Sequence, residues 1–284
     1  MSQIDYIFEI EQLVQRCLVE DIREGDITSE AIFAGDEIAT ASIIAKEEGV
    51  VCGIVVAQKV FEKLDNTVFF QALKKDGDDI KPFEAIIRVS GRVKSLLGAE
   101  RTALNFMQRL SGIATLSRSF KNLVNQSNIT ILDTRKTMPG LRYLDKYAVR
   151  VGGCENHRYG LFDMYLIKDN HIKAAGSIKN AVDACLKHRE VNMYKYKIEV
   201  EVADIEQLKE ALGCDVDVIM LDNFSPENLK AAVQLVGGKV KLEISGGVTA
   251  HNISKYLDSG VDFISIGALT HSVKSMDLSM NIEL

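Results

Sequence analysis

The 284-residue sequence predicts an α/β protein in two parts: an N-terminal α+β sandwich domain followed by an incomplete parallel α/β barrel. Three observations lead there. The second half alternates short apolar, β-branched runs with stretches of helical periodicity, the pattern of a parallel sheet with helices outside it. The first hundred residues mix both periodicities without regular alternation. A long helical stretch stands between the two patterns. The division is expected at 112/113, giving domains of residues 1–112 and 113–284, with a return of the last residues to the first domain left open.

Taken in order, Asp5 to Val19 places Ile7, Ile10, Leu13, Val14 and Leu18 at roughly helical spacing. A polar turn follows, from Glu20-Asp21 to Gly25-Asp26-Ile27-Thr28. Its acidic residues read as a cap for the next segment in preference to a metal site. Ala39–Val51 and Phe83–Val93 read as strands, punctuated by Gly49, Gly53 and Gly91, with a helix over Val55–Leu64 between them. Ala99–Asn125 reads as a helix interrupted at Ser111-Gly112, with Glu100 and Arg101 at its start, linking the two domains.

From Ile129 onward the expected strands are Ile129–Asp133, Met164–Ile167, Lys197–Val202, Val216–Leu221, Val240–Ser245 and Phe263–Ile266. Helices are expected over Ile178–His188, Ile205–Leu212, Pro226–Leu235 and Ala250–Asp258. The intervals are short, which favours closure into a barrel over an open sheet. Only six strands are clear, so a full eight is not expected.

Composition excludes several classes. A net charge of −6 and a pI near 5.5 argue against nucleic acid as the partner, since phosphate backbones need a broadly basic face. No stretch approaches the ~20 apolar residues of a membrane helix. Cys17, Cys52, Cys154, Cys185 and Cys214 are scattered, without a C-x-x-C pair, and suggest neither a disulfide framework nor a zinc site. A cytoplasmic protein is expected.

The charge is unevenly placed. Between Asp133 and Lys173, eight Lys or Arg stand against five Asp or Glu, a local +3 in an acidic chain. These cations follow apolar strands, at Thr134-Arg135-Lys136 and at Lys168-Asp169-Asn170-His171, and do not stripe a helix. A solvated surface is the plain alternative. An anion-binding cleft at one sheet edge fits the placement better. The later strand ends offer Glu201, Asp222-Asn223, Ser245-Gly246-Gly247 and Ile266-Gly267-Ala268, on the face where such barrels carry their chemistry. Along Lys197 to Val202 the apolar Ile198, Val200 and Val202 alternate with Lys197, Glu199 and Glu201. The barrel's outer face packs helices, so the charged row should point inward. For Glu199 a structural ion pair and a functional role are equally open, whereas Glu201 and Asp222 stand nearer the working face. Two glycine-bearing loops at the last two strands suit a phosphate group.

With these residues in view, the sequence resembles the quinolinate phosphoribosyltransferase family nearly from end to end. The matching blocks include Gly25-Asp26-Ile27-Thr28, Glu100 to Phe106, Leu110 to Thr115, Asp133 to Thr137 and Asn156-His157-Arg158. Leu166 to His171, Leu221-Asp222-Asn223, Ser245-Gly246-Gly247 and Gly267 to Ser272 complete them. The resemblance implies a type II phosphoribosyltransferase fold and a reaction of quinolinate with phosphoribosyl pyrophosphate, yielding nicotinate mononucleotide, pyrophosphate and carbon dioxide. It implies that Arg101, Arg135, His157, Arg158 and Lys168 surround the pyridine dicarboxylate, with Thr134 and His271 among the other substrate contacts. Lys136, Glu201 and Asp222 are implied as the catalytic set: Lys136 near both substrates, the two acids at the ribose. Magnesium is implied as a cargo of the pyrophosphate near Glu201 and Asp222, with no direct protein ligand assigned. Ser245, Gly246, Gly247, Ile266, Gly267 and Ala268 are implied to take the 5-phosphate. A homodimer in which Arg101 enters the neighbour's site is implied, a hexamer being left open.

One departure stands out. Many members carry three glycines before the Asn-His-Arg block, where this chain has Gly152-Gly153-Cys154. The rival readings are a diverged paralogue associated with molybdenum transport, a nicotinate-using transferase without decarboxylation, and an inactive phosphate-binding regulatory subunit. Asn156-His157-Arg158 and Lys168 to His171 speak against the first. The joint presence of Lys136, Glu201 and Asp222 speaks against the last.

Overall fold

A computed structural model describes residues 3–283. The chain forms two compact units, one taking the chain up to Leu116 and again from Val273, the other spanning Ser117–Ser272.

The first unit is built on a four-stranded antiparallel sheet ordered Leu278–Glu283, Ile38–Ala45, Ala85–Arg92, Phe69–Ala72. Alternation explains the central strand: Ala39, Ala41, Ile43 and Ala45 are all buried on one face. Helices Gln3–Ile22 and Ile54–Leu64 supply Ile10, Val14, Leu18, Val56, Val60 and Phe61 to the core. Asp26 caps the short helix Ile27–Ile32, accepting from Thr28 N at 3.0 Å and Ser29 N at 3.2 Å. The run expected as one strand over Ala39–Val51 is two. Gly49–Val50 turns away to pair with Asp79–Ile80.

The expected break at Ser111-Gly112 is absent, because one helix runs unbroken from Val93 to Leu123. Arg101 accordingly lies inside this helix, exposed, and not at its start. Both small residues have packing reasons. Ser111 Oγ accepts from Cys52 N at 2.9 Å and donates to Cys52 O at 3.1 Å. A Cβ on Gly112 would stand 2.2 Å from the carbonyl oxygen of Lys274.

The second unit is a six-stranded parallel sheet. In chain order its strands are β1 (Thr130–Leu132), β2 (Tyr165–Ile167), β3 (Ile198–Val202), β4 (Val218–Asp222), β5 (Lys241–Ser245) and β6 (Phe263–Ser265). They lie in the order β1-β6-β5-β4-β3-β2, as expected of an incomplete barrel. All six fall within a residue or two of the runs read from periodicity. Helices Ile178–Val191, Ile205–Leu212 and Pro226–Val236 cover the outside. The helix expected over Ala250–Asp258 shrinks to a single 3₁₀ turn, Ile253–Tyr256. Asn252 is the reason: its side chain accepts from Thr249 N at 2.8 Å and donates to Gly247 O at 2.9 Å, a local turn that competes with helix.

The chain leaving β1 is anchored by a buried ion pair. Lys146, on helix Arg142–Val151, donates from Nζ to Asp133 Oδ1 and to His157 O, the latter at 3.0 Å. Asp133 is fully buried and Lys146 is 2 % exposed. Asp133 also accepts from His157 N at 2.9 Å and Asn156 Nδ2 at 2.6 Å. Burial pushes the Asp133 carboxyl up and the Lys146 ammonium down, so each charge depends on the other.

Gly112 generates a prediction against helix propensity. Alanine in a helix interior is favoured over glycine by about 1 kcal/mol. Here the added methyl meets backbone, which cannot swing aside, at a cost of about 1–3 kcal/mol for overpacking. Gly112→Ala should therefore lower stability in urea unfolding, and a rise in the midpoint would show that Lys274 yields freely.

Candidate active site

The C-terminal ends of the six strands converge on a cavity of about 420 Å³. Its wall carries Thr134, Arg135 and Lys136 after β1, His157 and Arg158, Lys168 after β2, Glu201 in β3, Asp222 at the end of β4 and Ser245 at the end of β5. Leu166, Met220 and Ser265 complete it. Nine residues separated by as many as 111 positions in the chain therefore share one surface, every one of them singled out from the sequence.

The local chemistry shapes the cationic side. Arg142 bridges three segments, with Nε on Thr137 Oγ1 at 3.1 Å, Nη1 on Tyr159 O at 3.3 Å and Nη2 on Arg135 O at 3.5 Å. Asp163 folds the turn beyond Arg158 by accepting from Tyr159 N at 2.7 Å and Gly160 N at 2.9 Å. Lys168 N donates to His171 Nδ1 at 3.0 Å as helix Asp169–Ala175 begins, so His171 serves the turn. Burial first, then the neighbouring Arg135, pushes the Arg158 pKa down. Arg135 Nε is buried without a hydrogen-bond partner among the described residues. Two crowded guanidinium groups of this kind are relieved by an anion between them.

The acids face the cations. Lys168 Nζ pairs with Glu201 Oε2 of the neighbouring strand β3. Asn223, just past β4, holds a left-handed backbone at φ 54° and donates from Nδ2 to Asp222 Oδ2 at 3.0 Å. Its amide lies against Gly246, where a Cβ would stand 2.1 Å from Asn223 Oδ1. Gly246 and Gly247 take φ of 97° and 62°, open to glycine and strained for other residues. Gly267 backs onto His271 and Lys136, its Cβ position lying 3.0 Å and 3.1 Å from them. Thr270 Oγ1 donates to Lys136 O at 2.9 Å, fixing that loop to the short helix that follows β6. Ile266 is buried, and Ala268 opens the four-residue helix Ala268–His271. Arg101 belongs to the first unit and is not among the cavity residues.

Two acids were passed over or left open. Glu199 and Glu243 are each 1 % exposed and meet His157 inside the barrel. For Glu199 the inward-facing alternation was the signal. Glu243 carried the same signal, in Lys241-Leu242-Glu243-Ile244-Ser245. Cys154 is buried, donates to Ser117 O at 3.2 Å, and has its thiol pushed up to about 12 by burial, which makes it no nucleophile. The left-handed turn falls on Gly153, at φ 97°, and Cys154 is not among the positive-φ residues, so the departure from glycine carries no backbone strain.

Comparison with known proteins agrees with this geometry. Residues 26–111 match the model of the quinolinate phosphoribosyl transferase N-terminal domain, and residues 113–281 that of its C-terminal domain. The chain is 45% identical over 276 residues to a probable carboxylating nicotinate-nucleotide pyrophosphorylase of Bacillus subtilis, covering 97% of this chain and 94% of that one. The nicotinate-nucleotide pyrophosphorylase of Francisella tularensis superposes with a TM-score of 0.91 at 43% identity, covering 97% of this chain and 96% of that one. NadC of Streptococcus pyogenes does so with 0.92 at 40%, covering 97% of each. The chain belongs to the quinolinate phosphoribosyltransferase family.

Proposed function

We propose that this chain transfers the phosphoribosyl group of phosphoribosyl pyrophosphate to quinolinate with loss of carbon dioxide, forming nicotinate mononucleotide for NAD synthesis. The observation that carries the reading is the pairing, in one cavity, of crowded cations on one side with Glu201 and Asp222 on the other. Arg135, Arg158 and Lys168 together exceed what one carboxylate needs, and guanidinium forks suit carboxylates.

The chemistry follows from that division. The pyridine nitrogen bonds to C1 of the ribose as the bond from C1 to pyrophosphate breaks, its electron pair leaving with pyrophosphate. Positive charge develops on the sugar ring, as in glycoside cleavage, and Glu201 and Asp222 lie where carboxylates can stabilise it. The ring nitrogen is then cationic. Loss of carbon dioxide leaves an electron pair on the adjacent carbon, held by that cation until a proton replaces it. The side chains orient and screen, and no covalent nucleophile is needed. The oxygen donors of Glu201 and Asp222 suit magnesium arriving with the pyrophosphate. When bound, the ion would neutralise the leaving charge. Backbone N–H groups of the Gly246-Gly247 and Gly267 loops are the proposed seat of the 5-phosphate.

We also infer a homodimer. A groove of about 880 Å³ beside the cavity shares Arg158 with it and is lined by Leu161, Phe162, Tyr165 and Tyr194. Leu161 and Phe162 are 73 % and 63 % exposed, an apolar surface that a second copy would cover.

Four outcomes are expected. Carbon dioxide release should require quinolinate, phosphoribosyl pyrophosphate and magnesium together. Quinolinate should bind far better than nicotinate, with Lys168→Ala losing most of that preference; equal binding of both acids by the wild type would refute the dicarboxylate site. Glu201→Gln and Asp222→Asn should lower turnover more than quinolinate affinity, and loss confined to quinolinate binding would remove them from the ribose. Finally, Arg101→Ala and Lys136→Ala, each inactive alone, should regain roughly a quarter of wild-type activity when mixed under subunit exchange, since half the dimers are then mixed and each has one intact site. No recovery after verified exchange would exclude a shared site.

A further inference from the structure

Glu199 in β3 and Glu243 in β5 point into the barrel beneath the cavity, and the chemistry above uses neither. His157 Nε2 lies 3.0 Å from Glu199 Oε2 and 3.6 Å from Glu243 Oε2. The ligating atoms of the three residues all fall within 4.8 Å of one another, a spacing a metal ion could use. The other ring nitrogen speaks against an ion. Nδ1 accepts the backbone N–H of Arg158 at 2.7 Å, so the lone pair is on Nδ1 and the ring proton on Nε2. A metal-bound histidine has the reverse arrangement, its second nitrogen donating.

The Nε2–H thus faces two acids, and it is aligned with neither. Glu199 Oε1 and Glu243 Oε1 also lack a hydrogen-bond partner among the described residues. Two carboxylates in contact away from water cannot both ionise cheaply. Burial first, then Glu199, pushes the Glu243 carboxyl up to about 8. The two acids also raise the proton affinity of His157 against its burial. A second ring proton would break the contact with Arg158 N–H, which leaves Glu243 as its seat. The other groups facing the cluster are Ser265 from β6, Lys146 from the helix Arg142–Val151, and Arg158 itself.

We propose that Glu243 is kept as a neutral acid against the Glu199 carboxylate, and that this acid–carboxylate pair is a positioning device. It seats the His157 ring, whose Nδ1 in turn fixes the backbone of Arg158 at the acid-binding wall. Glu243 is then a positioning residue for quinolinate recognition, an assignment that rests on the quinolinate reading above.

Glutamine mimics the protonated acid, with an amide N–H where the carboxyl has its O–H. Glu243→Gln should keep quinolinate KM and kcat near wild type, whereas Glu243→Ala should raise KM about tenfold or more with a smaller change in kcat. The second arm is pH. Because the folded-state pKa of Glu243 is raised, its contribution to stability is present at low pH and is lost as pH rises through about 8. Wild type should therefore lose thermal stability between about pH 4.5 and about pH 8, and quinolinate affinity as pH rises through about 8, and Glu243→Gln should lose clearly less of both. Coincident pH profiles of wild type and Glu243→Gln, or a Glu243→Gln defect as large as that of Glu243→Ala, would overturn the proposal. If Glu243→Ala does not fold, the comparison of wild type with Glu243→Gln decides alone. A wild type without turnover on quinolinate would instead sink the substrate reading, with the stability profiles still judging Glu243.

Discussion

The buried pair between Asp133 and Lys146 is the constraint on which the site depends. Removing either partner would strand a charge in the barrel wall, at a cost of about 3–5 kcal/mol, a large part of the stability of an ordinary domain. The pair does more than neutralise itself. Asp133 directly follows β1 and gathers the main chain of His157 and the side chain of Asn156, so the Asn156-His157-Arg158 segment is tied to the same strand end that launches Arg135 and Lys136. Thr134, Arg135, Lys136, His157 and Arg158, cavity positions from two parts of the chain, are thereby referred to one carboxylate. An apolar pair of equal volume could fill the space, but it could not hold two backbone segments in register.

Above this anchor the site separates charge into layers. Cations crowd one wall until burial and mutual repulsion lower the Arg158 pKa. Acids follow at Glu201 and Asp222 on the next strands, β3 and β4, and a second pair of acids is buried at Glu199 and Glu243. Such an arrangement suits a ligand that is anionic at one end and becomes cationic in the middle as it reacts.

The parallel strands were legible because each is a short apolar run with a polar residue at its C-terminal end, and that polar residue is what the cavity uses. Arg135, Lys168, Glu201 and Asp222 could be placed for this reason alone. What escaped the reading depends on contacts distant in sequence. Gly112 signals a helix break when read locally, and only the Lys274 carbonyl against it explains the unbroken helix. Asn252 undid an otherwise regular helical pattern by folding its side chain onto Thr249 and Gly247. Leu278, Met280 and Ile282 alternate as a strand should, and a return of the last residues to the first domain was left open, but local pattern could not name so distant a partner as Ile38–Ala45. Lys146 looked like one more cation in a charged stretch, and its burial follows from the helix face that Arg142–Val151 turns inward.

That remote pairing has a consequence for how the protein is made. Leu278–Glu283 forms one border of the first unit's sheet, next to Ile38–Ala45, yet it follows the whole second unit in the chain. A ribosome adding about 5–20 residues per second needs on the order of tens of seconds to travel from one partner to the other. Throughout that interval Ile38–Ala45 presents an unpaired row of N–H and C=O groups, a template for adhesion to other nascent chains. The barrel unit is synthesised whole within the same interval. The usual vectorial order is thus inverted here: the part translated first is the part completed last, and chaperone attention during synthesis should centre on its open border.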